Sequence, residues 1–213
     1  KASLQEKDLT SQDIAFGIVP RINAPGRLSS AEKIVSLFIS EGFDETLALS
    51  EEIEKENIKR KEIESEIFLE AEDLLKREPY RLFQKIIIVE NKGWNPGVIG
   101  IVASRITEKY GKPSIVLSLG EETAKASGRS IEGFSLYDAI SVCSPYLIKF
   151  GGHPQAAGFE IGNANIEKLK QDIYSFAEKY GQMPHSTLHI DCRLNPGALS
   201  LDIIDQLYEL EPF

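Results

Sequence analysis

Short β-branched runs alternating with amphipathic stretches over residues 81–183 predict an α/β domain: a mixed β-sheet flanked by helices, preceded by a long linker helix. Three observations carry this. Lys85–Glu90 (KIIIVE) and Pro113–Ser118 (PSIVLS) are apolar and too short for helices, hence buried strands. Asn165–Tyr180 repeats apolar residues at helical spacing, with Ile166, Leu169, Ile173 and Phe176 inward. The run from Asp44 to Arg77 is dense in Glu and Lys and contains neither Gly nor Pro, so it reads as one long helix.

In chain order, Leu9–Gly42 reads as a loop followed by a helix. Ser29 or Ser30 serves as N-cap, Ile34, Leu37 and Phe38 face inward, and Gly42 is the stop. The long helix carries a thin apolar stripe of Ile53, Ile63, Ile67, Ala71, Leu74 and Leu75, broken at Ile58. Glu51 with Lys55 and Glu56 with Arg60 are spaced for i,i+4 pairing. So thin a stripe without a clean heptad suggests a spacer arm, with a partner-seeking coiled coil as the alternative. After Pro79 come the KIIIVE strand, a loop over Asn91–Pro96 and a helix over Gly97–Tyr110. The PSIVLS strand, a strand at Ala124–Arg129, a helix at Phe134–Cys143 and a strand at Ala156–Ile161 precede the Asn165–Tyr180 helix. Leu188–Cys192 (LHIDC) reads as a strand and Ser200–Leu210 as a helix. That pair is too small for a core of its own. The expected partition is therefore 1–43, 44–80, 81–183 and 184–213.

The composition is that of a globular cytosolic protein, 42% hydrophobic and 27% charged, and excludes little else. No apolar run approaches the roughly 18–20 residues that span a bilayer. The chain starts at Lys1 without a secretory signal, which suggests an excised piece. Cys143 and Cys192 fit no metal or redox spacing and read as reduced thiols. A net charge of −9 disfavours indiscriminate adhesion to nucleic acid, yet permits a local basic groove.

Four segments could carry chemistry. In Phe150–Phe159 (FGGHPQAAGF), Gly151 and Gly152 let backbone approach a ligand, and His153 can donate to a phosphate. The small Ala156, Ala157 and Gly158 keep the wall beside it open. Ser127-Gly128-Arg129 ends a strand with a hydroxyl and a guanidinium fork suited to phosphate, with no side chain at Gly128 to crowd them. Trp94–Gly100 (WNPGVIG) starts a helix, with Asn95 as N-cap and Pro96 at the first helical position. Trp94 is a stacking surface for a base or, more simply, core packing. Arg21–Arg27 (RINAPGR) puts two arginines on a turn-rich segment, as phosphate ligands or as solvated loop residues. There is no Asp/His cluster with metal spacing; His185, His189 and Asp191 come nearest and are explained by surface polarity. No Walker loop, nucleophile elbow or dinucleotide fingerprint is present.

Taken in order, PRINAPGRL, the long charged helix, WNPGVIGIVASR, SGRS and FGGHPQAAGF resemble the RecJ single-stranded-DNA exonucleases of the DHH phosphoesterase superfamily. The Gly-Gly-His-x-x-Ala-Ala-Gly signature is shared across superfamily branches; PRINAPGR and WxPGVIGIVASR narrow it. The resemblance implies a DHH-associated domain over about Leu82–Gln182. Ser127, Gly128 and Arg129, together with Arg21 or Arg27, would hold DNA phosphate. Gly151, Gly152 and His153 would lie beside the reacting nucleotide, with His153 in a catalytic role. Two Mn²⁺ or Mg²⁺ ions are implied for the parent enzyme, on a domain whose motifs do not occur here, so no metal is expected in this chain. Single-stranded DNA and repair proteins are the implied partners, with no membrane. The tail from Leu188 would open an OB-fold domain. Where the family has His after the loop Trp, this chain has Asn95. The alternatives are a phosphodiesterase for oligonucleotides or cyclic dinucleotides and a non-catalytic nucleic-acid-binding module.

Overall fold

The structure is a computed structural model that describes residues 9–184, 187–188 and 190–210. A π-helical turn over Asp13–Ile18 runs into α1 (Val19–Leu28), followed by α2 (Glu32–Ile39) and α3 (Phe43–Arg77). A single turn, α4 (Tyr80–Phe83), leads into β1 (Ile87–Lys92), α5 (Ile99–Tyr110), β2 (Ser114–Leu119) and β3 (Thr123–Arg129). Then come α6 (Leu136–Ser141), β4 (Leu147–His153), β5 (Ala156–Gly162) and α7 (Ile166–Lys179). Beyond them α8 (Leu201–Tyr208) is capped by the Ser200 hydroxyl. The five strands form one sheet in the order β1-β2-β3-β5-β4. β1 and β2 are parallel and the other pairs antiparallel, so the sheet is mixed, as the sequence predicts.

Period-two alternation divides β1 between two cores. Ile86 and Ile88 join Leu117, Phe159, Leu136, Leu169 and Ile173 under α6 and α7. Ile87 and Val89 face the other way and meet Val102, Ile106, Ile67 and Leu75 beneath α5 and α3. Each of these buried aliphatic side chains contributes about 1.5–3 kcal/mol.

The long helix matches its predicted span but is not a free spacer. Ile67, Ala71 and Leu75 sit in the second core, and the N-terminal half carries α1 and α2. The expected Glu56–Arg60 pair does not form. Glu56 accepts from Lys33 Nζ at 2.6 Å, and Arg60 turns to Glu64 at 2.7 Å and to the buried Asn57. Packing against α2 offers Glu56 a better-placed cation than its own helix does.

PRINAPGRL is helical rather than a loop. Pro20 follows closely on the π-helical turn, and Ala24 and Pro25 are buried. In α2, Ile34 is buried but Phe38 is 69% exposed, contrary to expectation. The Ser30 hydroxyl accepts from the Glu32 N–H at 3.2 Å; the helix ends at Ile39, and Gly42 instead opens α3. Strand β4 is absent from the sequence reading: Leu-Ile-Lys-Phe-Gly-Gly-His has no apolar alternation, and it is an exposed edge strand. Of LHIDC, Leu188, Ile190, Asp191 and Cys192 are exposed and carry no strand; His189 lies outside the described residues, as do His185 and the Glu211–Phe213 end. Cys143 is fully buried.

Candidate phosphate-binding site

Two segments separated in sequence, Ser127–Arg129 on β3 and Phe150–Phe159 on β4 and β5, lie side by side on the sheet. Arg129 pairs with Ala156 and Ala156 with His153; Gly128 pairs with Ala157 and Gly152; Ser127 pairs with Gly158 and Gly151. Paired residues share a face, so Ser127, Gly158, Gly151, Arg129, Ala156 and His153 form two rows on one side of the sheet. Gly128, Ala157 and Gly152 point to the α6 side, where a Cβ on Gly128 would stand 2.6 Å from Leu136 Cδ2. Gly152 has φ +145° and would place a Cβ 2.3 Å from the Ala156 oxygen, so only glycine closes this edge pairing. The conformation serves the strand ladder.

The rows open beside the start of α5. Gly100 faces Ser127 and Arg129: a Cβ there would stand 2.9 Å from Ser127 Oγ and 3.2 Å from Arg129 Nη2. Arg129 Nη1 donates to Ser127 Oγ at 3.2 Å and to the Gly128 carbonyl at 2.8 Å. Behind it, buried Thr107 and Ser114 share a hydrogen bond of 2.8 Å, and Thr107 Oγ1 donates to the Arg129 carbonyl at 3.4 Å, tying β3 to α5 and β2. From α1, Arg27 Nη1 donates to the Gly97 carbonyl at 3.1 Å, while a Cβ on Gly97 would fall 2.0 Å from the Arg27 oxygen. The missing side chains of Gly97 and Gly100 thus bring α1 and β3 together at one helix start.

Charge separates the two candidate arginines of α1. Arg21 is committed: its Nε lies 2.5 Å from Glu54 Oε2, and Nη1 donates to the Gly17 carbonyl. Arg27 and Arg129 have no carboxylate within ion-pair distance among the described residues. Burial, and then the charge of Arg27, push the Arg129 guanidinium below its ordinary pKa. A guanidinium nonetheless stays protonated, so two cations without a carboxylate partner lie near enough to oppose each other's charge, Arg129 on the Ser127 hydroxyl and Arg27 on the Gly97 carbonyl, and an anion shared by them would relieve both.

His153 is exposed on β4; its Nδ1 accepts from the Gln155 N–H at 3.3 Å, which turns Nε2 away from that turn. Two strand spacings separate it from Arg129, about 10 Å. Asn95 keeps a capping role of a kind, its Oδ1 accepting from the Gly97 N–H at 2.8 Å, although α5 itself begins at Ile99. Trp94 is 4% exposed and donates Nε1 to Glu70 Oε2 at 2.8 Å, so it packs and does not stack on a ligand.

A groove of about 450 Å³ continues from Ser127, Gly158 and Gly151 toward Lys125, Lys149 and Glu160, with Pro96 on one wall. These charged residues were not singled out from sequence. The period-two spacing of Lys125-x-Ser127-x-Arg129 and Lys149-x-Gly151-x-His153 is the signal that would have found them.

Residues 83–179 match the DHHA1 domain family. The single-stranded-DNA-specific exonuclease RecJ of Bacillus subtilis is 37% identical over 80% of this chain and 22% of its own length. That of Escherichia coli is 30% identical over 100% of this chain and 38% of its own. The chain belongs to the RecJ family. The crystal structure of Thermus thermophilus RecJ in complex with Mn²⁺ superposes with a TM-score of 0.83 at 30% identity, covering 96% of this chain and 30% of that one. The chain therefore spans less than two fifths of the length of these RecJ relatives.

The DHHA1 match covers the five-stranded sheet and its helices, while α1 and α3, which bring Arg27 to the site, lie outside it. The RecJ structures hold Mn²⁺ or Mg²⁺. The residues gathered here do not fit such an ion: the site offers two guanidinium groups, a hydroxyl and an imidazole. No group of three or more His, Cys, Asp or Glu among the described residues could hold a metal.

Proposed function

We propose that this chain supplies the phosphate-cradling part of a single-stranded-DNA exonuclease that degrades DNA 5′-to-3′ in recombination and repair. The observation that carries the reading is the pair of half-buried, carboxylate-free arginines gathered at the start of α5, Arg27 on the Gly97 carbonyl and Arg129 on the Ser127 hydroxyl. A terminal phosphate is the anion that suits them: it is dianionic near neutral pH and accepts from planar forks at several oxygens. Arg21, neutralised by Glu54, is a brace for α1 and no ligand. His153 lies in the Arg129 row at the open edge, where it would donate Nε2 to the phosphodiester next to the held end.

The RecJ family relation supports the substrate class, and the chemistry at this site is binding and orientation of the scissile phosphate. The divalent ions that activate water in a RecJ enzyme would be held by residues other than those gathered here. We also read residues 1–43 as the close of the metal-bearing domain, 44–80 as the connecting helix, 81–183 as the substrate domain and 184–213 as the start of an OB-fold. Cytoplasmic placement and repair-protein partners follow from the same reading; no helix among the described residues is long and apolar enough to cross a membrane.

Binding of a short single strand carrying either a 5′-phosphate or a 5′-hydroxyl tests the proposal. The phosphorylated strand should bind at least tenfold more tightly. Equal affinities for the two strands would overturn the assignment of the arginine pair to a terminal phosphate.

A further inference from the structure

The groove has a far end that the arginine pair does not use. Lys125 pairs with Glu160 across β3 and β5, and Glu160 with Lys149 across β5 and β4, so the three residues form a third row on the same open face. Lys149 Nζ lies 3.0 Å from Glu160 Oε2, while Lys125 is exposed and has no carboxylate within ion-pair distance among the described residues. One carboxylate thus stands between two ammonium groups, and the row keeps a net positive charge.

The middle row of Ser127, Gly158 and Gly151 offers one hydroxyl and no bulk, so nothing obstructs the groove between its ends. Four residues of strand separate Lys125 from Arg129, about 13 Å at ordinary strand rise. A single strand anchored by its end at the arginines and laid along the open face must carry its following phosphates toward the lysines.

We propose that the Lys125–Glu160–Lys149 row is a second phosphate site, which takes the backbone of an extended single strand and in which Glu160 is a built-in competing anion displaced from Lys149 by the strand. The proposal rests on the reading of Arg27 and Arg129 as the terminal-phosphate pocket. Its chemical content differs: the arginines suit a dianionic end, and the lysines, as flexible point charges, suit a phosphodiester of no fixed orientation. Glu160 pairs with Lys149 in the free protein and sets a threshold, since a ligand whose only phosphate is held at the arginines does not reach it.

Two probes separate the sites: a nucleoside 5′-monophosphate, which carries only the terminal group, and a 5′-phosphorylated oligonucleotide several residues long. Their binding would be measured from low to moderate salt. Joint substitution Lys125→Ala and Lys149→Ala should weaken the oligonucleotide and flatten its plot of log affinity against log salt by about 1.4, two contacts at about 0.7 each. Binding of the monophosphate should not change. Glu160→Gln should tighten the oligonucleotide severalfold and again leave the monophosphate alone. Both lysines are exposed, and thermal melting at the wild-type temperature would show the variants folded. An unchanged salt slope in the folded double variant would overturn the second site. If Arg129→Ala weakens both probes while the lysine variant does nothing, the second site alone fails. If Arg129→Ala leaves both probes unmoved, the terminal-phosphate reading fails with it.

Discussion

β1 and β2 are covered on both faces, by α6 and α7 on one side and by α5 and α3 on the other, and their first residues are wholly buried. β4, at the opposite edge, is exposed along nearly its whole length, and β5 is open on the face that bears Gly158. The first half is built for burial and the second for access. The candidate site falls at the seam, on β3, where the cover of α5 ends and Ser127 and Arg129 emerge. A helix that stops short of the edge leaves both a floor of small residues and a wall that ends in its own N-terminus.

Substitutions in the two halves should therefore fail differently. Ile88→Ala, in the covered half, removes a fully buried side chain from between β1 and the α6–α7 layer. A loss of about 2–5 kcal/mol in stability is expected from urea unfolding, with affinity per folded molecule intact. At the seam, Arg129→Ala should reverse the pattern. Each charge-assisted hydrogen bond to phosphate is worth about 1.5–3 kcal/mol, so affinity for a phosphorylated strand should drop roughly 10- to 100-fold. Stability should hold or rise slightly, because a half-buried cation opposed by the charge of Arg27 is removed. Similar stability losses in both variants would erase the distinction between the halves.

The same contrast explains what was legible in the sequence. Buried strands announce themselves: KIIIVE, PSIVLS and the Ala156–Ile161 run gave β1, β2 and β5 within two residues, and α7 followed from its apolar spacing. The edge strand β4 did not, because Gly151 and Gly152 spoil strand propensity and its partner, β5, supplies what its own residues lack. α1 was obscured by Pro20, Pro25 and Gly26. Packing of Ala24 and Pro25 against α3 outweighs their poor helix propensity. Ser127, Arg129 and His153 were visible as chemistry, but their alignment in rows depends on strand register between segments more than 20 residues apart, which local pattern does not encode.

Arg21 and Arg27, six positions apart on one element, sharpen the comparison at smaller scale. Arg21→Ala breaks a half-buried pair with Glu54 and should cost up to about 1 kcal/mol in thermal unfolding, leaving strand binding unchanged. Arg27→Ala should do the opposite, weakening a phosphorylated strand about tenfold with little change in melting. If Arg21→Ala weakens binding as much as Arg27→Ala does, the division of labour within α1 is wrong.

The smallest effect expected concerns acid. In the covered half, Glu72 on α3 is bonded to Lys109 and accepts from the Tyr110 hydroxyl at 2.7 Å, both on α5. Burial opposes its charge, but the two donors outweigh burial and hold its pKa below the ordinary 4.5, while burial and Glu72 together push Tyr110 up to about 12. A depressed carboxylate contributes stability above its unfolded value and loses that contribution as pH falls through the folded one, since the unfolded chain takes up the proton first. Wild type should therefore lose stability below about pH 4.5 relative to Glu72→Gln, with the gap between them closing as the solution becomes more acidic. In the open half Glu160 is depressed too, chiefly by its bond to Lys149, but that lysine is 72% exposed and salt reaches the pair. Raising the ionic strength should erase the Glu160→Gln difference and leave most of the Glu72→Gln difference in place. An equal response to salt at the two positions would mean that the α3–α5 layer shields its ion pair no better than the bare edge does.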